Sequence, residues 1–485
     1  MTQQPGVKVV IVGGGFGGIY TARHLERIWR EKRDCSITLI SQHNYFLMTP
    51  LLFEAGSGVL EARHAVNPIR RMFDRVQFVE AQVEGVDFES RHVAARLAEN
   101  EVRQIPYDHL VIAVGGTTNT KMIPGSEHGR TFKTLADAIE LRNHCLRLLE
   151  RADVERDPAK RQALLTFVII GGGLVGVELQ GELTEFLSNA LRSYKNLDRK
   201  ELHLELIEGG KRLIPEMDDD LAGYATRTLA DRGVNIRNGI HVKQIEEGRV
   251  HLPDGTLIET ATIVLATGVI PSALVHSLQI EKGKKGHLLV EPTMRSKSQP
   301  RVWALGDCAE IPDPEGKPYP PLAQHALREA RQLAKNIAAV VNGEEPDPFV
   351  YKSKGTLASL GRYRGTGKVY QFKIYGFIAW WVWRSYYLMQ MPRLERKIRI
   401  MIDWTVALLF KNDIVELDMG PEPQAHDRES GGSREPGANS GATEKSKSSG
   451  DHSSAPGAAG DGAAKFYESD AAVSEAPKTP AKTGK

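Results

Sequence analysis

The chain has 485 residues, of which 41% are hydrophobic and 26% charged, with a formal net charge of +2. That length exceeds one ordinary domain, the apolar fraction supplies more than one core, and the charge balance leaves no electrostatic footprint for nucleic acid. Three cysteines, Cys35, Cys145 and Cys308, lie far apart without a CxxC pair, which excludes a motif-type redox disulfide or zinc ribbon and fits a reducing compartment.

Residues 1–8 are polar, so no signal peptide is expected. The first element is a strand over Val7–Val12, followed by Gly13-x-Gly15-x-x-Gly18 and a helical stretch over Ile19–Trp29. In a strand–turn–helix of this kind the first glycine makes the tight turn and the second admits a pyrophosphate close to the backbone. The third lets helix and strand pack closely. Phe16 and Gly17 lie inside the same turn. The next strand reads SITLISQHNYF over 36–46, with Ser41 where an acid normally meets the ribose of a dinucleotide. LVIAVGGTT at 110–118 is a returning apolar strand that ends in small residues.

FVIIGGGLVGVE at 167–178 repeats the first motif as Gly171-x-Gly173-x-x-Gly176. Its second strand, LHLELIEGG at 202–210, ends in Glu208, placed to accept ribose hydroxyls and to repel a 2′-phosphate. TIVLATGVIPS at 262–272 is the second returning strand, and VWALGDCAE at 302–310 puts Gly306-Asp307 after a further one.

The stretch over 374–411 holds four of the six tryptophans, Trp380, Trp381, Trp383 and Trp404, with Tyr386 and Tyr387. Arg384 interrupts its first apolar run well short of the ~18 residues of a spanning helix. Beyond Pro392, Leu394, Ile398, Met401, Ile402, Thr405, Leu408 and Leu409 keep helical spacing behind a basic cluster. Aromatic and basic residues on an amphipathic stretch suit a membrane surface; a dimer interface or a buried core helix is the alternative. From Pro421 to Lys485 there is no Ile, Leu, Met or Trp, so this tail is expected to be disordered.

The order of two GxGxxG cradles, two returning strands and GD resembles the two-dinucleotide flavoprotein oxidoreductases. NYFLMTPLLFEAGSG (44–58), GGGLVGVELQGEL (171–183), LIEGGKRLIPEMDDDL (206–221), LGDCAE (305–310) and PPLAQHALREARQLAKNI (320–337) resemble the type II NADH dehydrogenases in particular. The resemblance implies an α/β fold of two Rossmann-like domains. The FAD-binding part would occupy 6–125 and 266–345 around an NADH-binding part at 126–265. A quinone- and membrane-associating region would follow at 346–420, with the tail at 421–485.

It also implies FAD on Gly13, Gly15, Phe16, Gly17, Gly18, Ser41, Val83, Ala113, Gly115, Gly306 and Asp307, with Thr49 and Pro50 beside the flavin ring. NADH would lie on Gly171, Gly173, Gly176, Glu208 and Gly268. Glu178 and Gln324 would serve catalysis where nicotinamide and quinone meet, with Ala323 opening the quinone motif. Arg328 stands where that motif has its second glutamine, which puts the quinone contacts in question. His43, His64 and His325 read as structural, though His325, beside Gln324, could move a proton near neutral pH. No metal is expected.

The implied activity is NADH:quinone reduction without proton pumping, peripheral to the cytoplasmic face of the cell membrane, with a homodimer as a possible assembly. Sulfide:quinone oxidoreductase, NADH:ferredoxin or rubredoxin reductase and a non-enzymatic flavin redox sensor remain open alternatives.

Overall fold

A computed structural model describes residues 6–32, 34–410 and 413–417; the tail assigned to 421–485 lies outside them. Two five-stranded parallel sheets dominate. The first runs in the order Val302–Ala304, His109–Ile112, Val7–Val12, Cys35–Ser41, Gln77–Glu80. The second runs Arg130–Thr131, Thr262–Leu265, Thr166–Ile170, His203–Glu208, Val234–Asn238. In each, the strand that leads into a glycine cradle is central and wholly or largely buried, because its β-branched run is covered on both faces.

The repetition extends to single bonds. The Gly13 amide donates to the Ile40 carbonyl and the Gly171 amide to the Ile207 carbonyl, both at 2.8 Å. Ala113 bonds back to Val12, and Ala266 to Ile170, again at 2.8 Å. The chain passes between the two units along the antiparallel pair Gly116–Thr118 and Val269–Pro271.

Boundaries differ from the sequence expectation in instructive places. The first helix spans Phe16–Ile28, starting at the cradle itself rather than at Ile19, because a GxGxxG turn ends directly in helical backbone. The strand expected over 36–46 stops at Ser41, and Tyr45–Leu47 pairs instead with Val66–Pro68. The helix Ala323–Val341 packs on Phe16–Ile28, so the segment with Gln324 is braced against the first cradle's helix. Three-stranded antiparallel sheets are attached at 82–106 and 244–259.

At the C-terminal end a third such sheet, Gly355–Ser359, Gly365–Val369 and Phe372–Tyr375, leads into helices Gly376–Gln390 and Leu394–Leu409. Thr366 Oγ1 donates to the Leu221 carbonyl at 3.2 Å, and Lys368 pairs with Asp218 at 3.0 Å, which seats this region on the helix Asp219–Ala230 of the second unit.

Candidate functional site

The two cradles share one geometry. Gly13 and Gly171 have φ of +117° and +114°, values that a side chain resists. A Cβ on Gly18 would lie 1.9 Å from the Gly13 carbonyl oxygen, and one on Gly176 1.8 Å from that of Gly171, so the third glycines serve packing. Gly15 and Gly173 are different. Each precedes the first residue of its helix, and a Cβ there would meet nothing within 4 Å. Open space over a helix N-terminus is what a pyrophosphate needs, so both cradles fit a dinucleotide.

The ribose positions diverge. Glu208 Oε2 accepts from the Gly172 amide and Oε1 from the Gly210 amide, both at 2.5 Å, which fixes the carboxylate beside the second cradle. In the first unit Ser41 abuts Gly14, where a Cβ would lie 2.4 Å from its Oγ. The two strand-end positions are therefore equivalent in the fold, though one carries an acid and the other a hydroxyl.

The remaining residues expected around FAD approach from several elements. Ala113 is buried behind the first cradle, Gly115 follows it with φ of +64°, and Val83 sits at a bulge in its strand. Thr49 and Pro50 form a short 3-10 turn that runs straight into helix Leu52–Gly56. Phe16 packs edge-on against Phe46 at 5.0 Å and Gly17 is buried. Gly268, with φ of +86° and no neighbour in the place of a Cβ, leaves space on the second unit's returning strand. Gly306 donates its amide to Glu329 Oε2 at 2.9 Å, and Asp307 faces Lys133 at 3.8 Å. Glu329 is buried; burial pushes its pKa up to about 7 against the Gly306 bond, with Asp307 adding to the rise.

The largest departure from the sequence reading is a cluster of buried carboxylates. Glu178, expected at the meeting of nicotinamide and quinone, is buried: Oε1 accepts from the Ser359 amide at 3.0 Å and from Trp383 Nε1 at 2.9 Å. One helical turn on, Glu182 accepts from Ser359 Oγ at 3.3 Å and from Ser57 Oγ at 3.4 Å. Glu54, fully buried, accepts from Arg384 Nε at 2.8 Å and Trp404 Nε1 at 2.5 Å. The Arg384 guanidinium lies between the rings of Trp380 and Trp404, at 4.2 and 4.7 Å.

Burial pushes Glu178 up to about 8, more than its two hydrogen bonds lower it. Burial and the neighbouring Glu54 push Glu182 up to about 7, with Arg384 and Arg232 opposing. Tyr387, stacked edge-on to Trp383 at 4.9 Å, is pushed up by burial and by Glu178.

Three of the four C-terminal tryptophans thus turn inward, and Arg384, which interrupts the apolar run, is one half of a buried ion pair. Of the four, Trp381 alone is exposed. Exposed with it are Phe377, Ile378, Met389, Leu394, Ile398, Met401, Ile402, Val406, Leu408 and Leu409.

His325 is also corrected. Buried between Tyr319 and Tyr351, it is held down to about 4 by burial, with Arg328 adding and the Pro320 backbone opposing; it stays neutral at physiological pH. Arg328 lies over the Tyr351 ring at 4.6 Å and donates to the Gln324 carbonyl at 2.7 Å. Among the described residues no hydrogen bond joins Gln324 to the Glu178 cluster. Ala323 begins the Gln324 helix. His64 is structural, bonding Asp403 at 2.5 Å. Cys145 and Cys308 are buried free thiols pushed up to about 12 by burial. Neither offers the thiolate that sulfide chemistry requires.

Residues 7–330 match the pyridine nucleotide-disulphide oxidoreductase family, and residues 353–413 match the NDH2 C-terminal domain, the stretch that supplies Ser359, Trp383, Arg384 and Trp404. The chain belongs to the type II NADH dehydrogenase family. A type II NADH:quinone oxidoreductase of Mycobacterium tuberculosis is 31% identical over 421 residues, covering 83% of this chain and 88% of the relative. An internal alternative NAD(P)H-ubiquinone oxidoreductase of Solanum tuberosum is 30% identical, covering 84% and 87%. The fold of this type II dehydrogenase is that of Plasmodium falciparum NDH2 solved with NADH: the TM-score is 0.79 at 20% identity, covering 84% of this chain and 99% of the other.

Proposed function

We propose that this FAD-dependent type II dehydrogenase oxidises NADH at the second cradle and reduces a membrane quinone, without proton pumping. The observation that carries this reading is the pair of equivalent cradles left open at Gly15 and Gly173, with a fixed carboxylate at the second alone. Bound FAD supplies the capacity to accept a hydride and pass its electrons on. Gly13 and Gly15 would hold its pyrophosphate at the turn that Gly18 lets pack closely, and Asp307 and Thr49 would face its sugar chain and ring. Purified protein mixed anaerobically with NADH should bleach its flavin absorbance and regain it on adding a short-chain quinone. Absence of either step would overturn the assignment.

Quinone reduction consumes two protons, and Glu178 is placed to hold one. Both donors to its carboxylate bond Oε1, so the proton resides on Oε2, and a pKa of about 8 keeps it there at neutral pH. Glu178→Gln is therefore expected to lower kcat with quinone by about 10²-fold or more. Ferricyanide reduction, which needs no delivered proton, should stay within about twofold of wild type. Wild-type quinone turnover should fall as pH rises through about 8, because the donating form is lost, and the variant should lack that limb. Equal losses with both acceptors would assign Glu178 to packing.

Glu208 sets the nicotinamide cofactor preference. Its oxygens, already anchored on two amides, keep lone pairs for the ribose hydroxyls and repel a 2′-phosphate. Arg212, which could have relieved that repulsion, donates instead to the Pro215 carbonyl at 3.0 Å. NADH should be strongly preferred over NADPH, mostly through KM. Glu208→Gln should weaken NADH binding by about 1.5–3 kcal/mol, the range for a charge-assisted hydrogen bond. Equal kcat/KM for the two cofactors in the wild type would refute this role.

The exposed apolar faces of Gly376–Gln390 and Leu394–Leu409 rest on the membrane surface, on the cytoplasmic side where NADH is available. No described helix is long and apolar enough to cross a membrane. Deleting both helices is not a clean test, because Glu54 and Glu178 would lose Arg384, Trp404 and Trp383.

A further inference from the structure

The helix Leu174–Ala190 begins at the second cradle, and its far half borders a cavity of about 570 Å³. Five guanidinium groups line this cavity, those of Arg192, Arg199, Arg232, Arg362 and Arg364, and among the described lining residues Glu185 is the one carboxylate. Glu185 is engaged by Arg232 at 2.8 Å, whose other nitrogen donates to the Gly181 and Leu360 carbonyls. Arg199 donates to the Arg232 carbonyl at 2.6 Å and Arg362 to the Leu408 carbonyl at 3.1 Å. Arg192 and Arg364 have no carboxylate partner among the described residues. Five positive charges around one acid repel one another unless an anion joins them. Guanidinium forks match the oxygens of phosphate, which accept two parallel N–H bonds.

Exposed apolar side chains lie next to the cavity. Arg362 ties it to the end of helix Leu394–Leu409, where Leu409 and Phe410 are 75% and 66% exposed. Tyr363 packs on Trp380 at 5.1 Å and on Phe377 at 6.2 Å, and Phe377 is itself exposed. A cationic cavity opening beside exposed apolar side chains suits a ligand with a charged head and apolar tails. We propose that this arginine cavity binds a phosphate-bearing anion, and that the phosphate is the headgroup of an anionic phospholipid. The proposal deepens the membrane-surface reading above and rests on it.

The test is co-sedimentation of the full flavin-loaded chain with vesicles of phosphatidylcholine alone or mixed with phosphatidylglycerol. It compares wild type, Arg192→Gln/Arg364→Gln, and a control of equal charge loss outside the cavity on helix Leu394–Leu409, Lys397→Gln/Arg399→Gln. The wild type should prefer the phosphatidylglycerol vesicles. The cavity variant should lose about tenfold more of that preference than the control, the size of one charge-assisted contact, while keeping phosphatidylcholine binding and NADH:ferricyanide turnover. Equal losses in both variants would mean diffuse surface charge and overturn the cavity. Thermal stabilisation by inorganic phosphate without any lipid preference would overturn the headgroup in favour of a free anion. Failure to bind either vesicle would overturn the membrane-surface reading, and this proposal with it.

Discussion

Gly15→Glu is expected to yield a folded but colourless protein, whereas Gly13→Ala is expected to yield little folded protein at all. The two glycines stand two residues apart in one turn, and the difference is geometric. Gly15 has φ of −84°, which any residue adopts, and open space where its Cβ would point. A side chain there disturbs no protein contact and fills the approach that the FAD pyrophosphate needs, with a negative charge added. Gly13 has φ of +117°, and its Cβ would lie 2.2 Å from the Ala113 carbonyl oxygen, a backbone atom with nowhere to move. Left-handed strain of about 1–3 kcal/mol adds to that clash, so the loss should exceed ~3 kcal/mol. Wild type should carry about one FAD per chain. Visible absorbance and far-ultraviolet circular dichroism of both variants decide the matter. A yellow Gly15→Glu protein would move the pyrophosphate elsewhere, and a stable Gly13→Ala protein would refute the strain argument.

Arg384→Leu is expected to destabilise the fold by about 3–5 kcal/mol, because it leaves Glu54 buried without its countercharge. The companion variant Glu54→Gln/Arg384→Leu should recover most of that loss, since it removes the stranded charge along with its partner. Thermal denaturation of the two variants measures both terms. A neutral Arg384→Leu would show that the pair is hydrated and weak.

Stability should also depend on pH. Glu178 and Glu182 bind protons more tightly folded than unfolded. Their contribution is therefore fully present below the ordinary carboxylate value of 4.5 and lost as pH rises through about 7 and 8. Tm should fall across that window in wild type and less steeply in Glu178→Gln.

The cradles were legible because their cause is local. A β-branched run, three glycines at fixed offsets and a following helix build a phosphate site from consecutive residues, so Gly13, Gly15, Gly171, Gly173 and the strand-end Glu208 could be named from spacing alone. That the first helix begins at Phe16 and the second strand ends at Ser41 follows from hydrogen bonding that spacing specifies only loosely. The carboxylate cluster could not be read the same way. LLFEAG at 51–56 contains an acid in an apolar run, and FIAWWVWRSYYLM at 377–389 contains a base in another. Each was a visible anomaly, yet their pairing spans 330 residues. Only the docking of the C-terminal helices against both units brings Arg384 to Glu54 in the first and Trp383 to Glu178 in the second. The same docking decided which tryptophans turn inward, because a helix with aromatic residues on more than one side buries whichever face meets a neighbour. Local backbone chemistry thus determined where the two open glycine cradles form. Tertiary packing decided which acids are buried, and so which of them hold a proton at neutral pH.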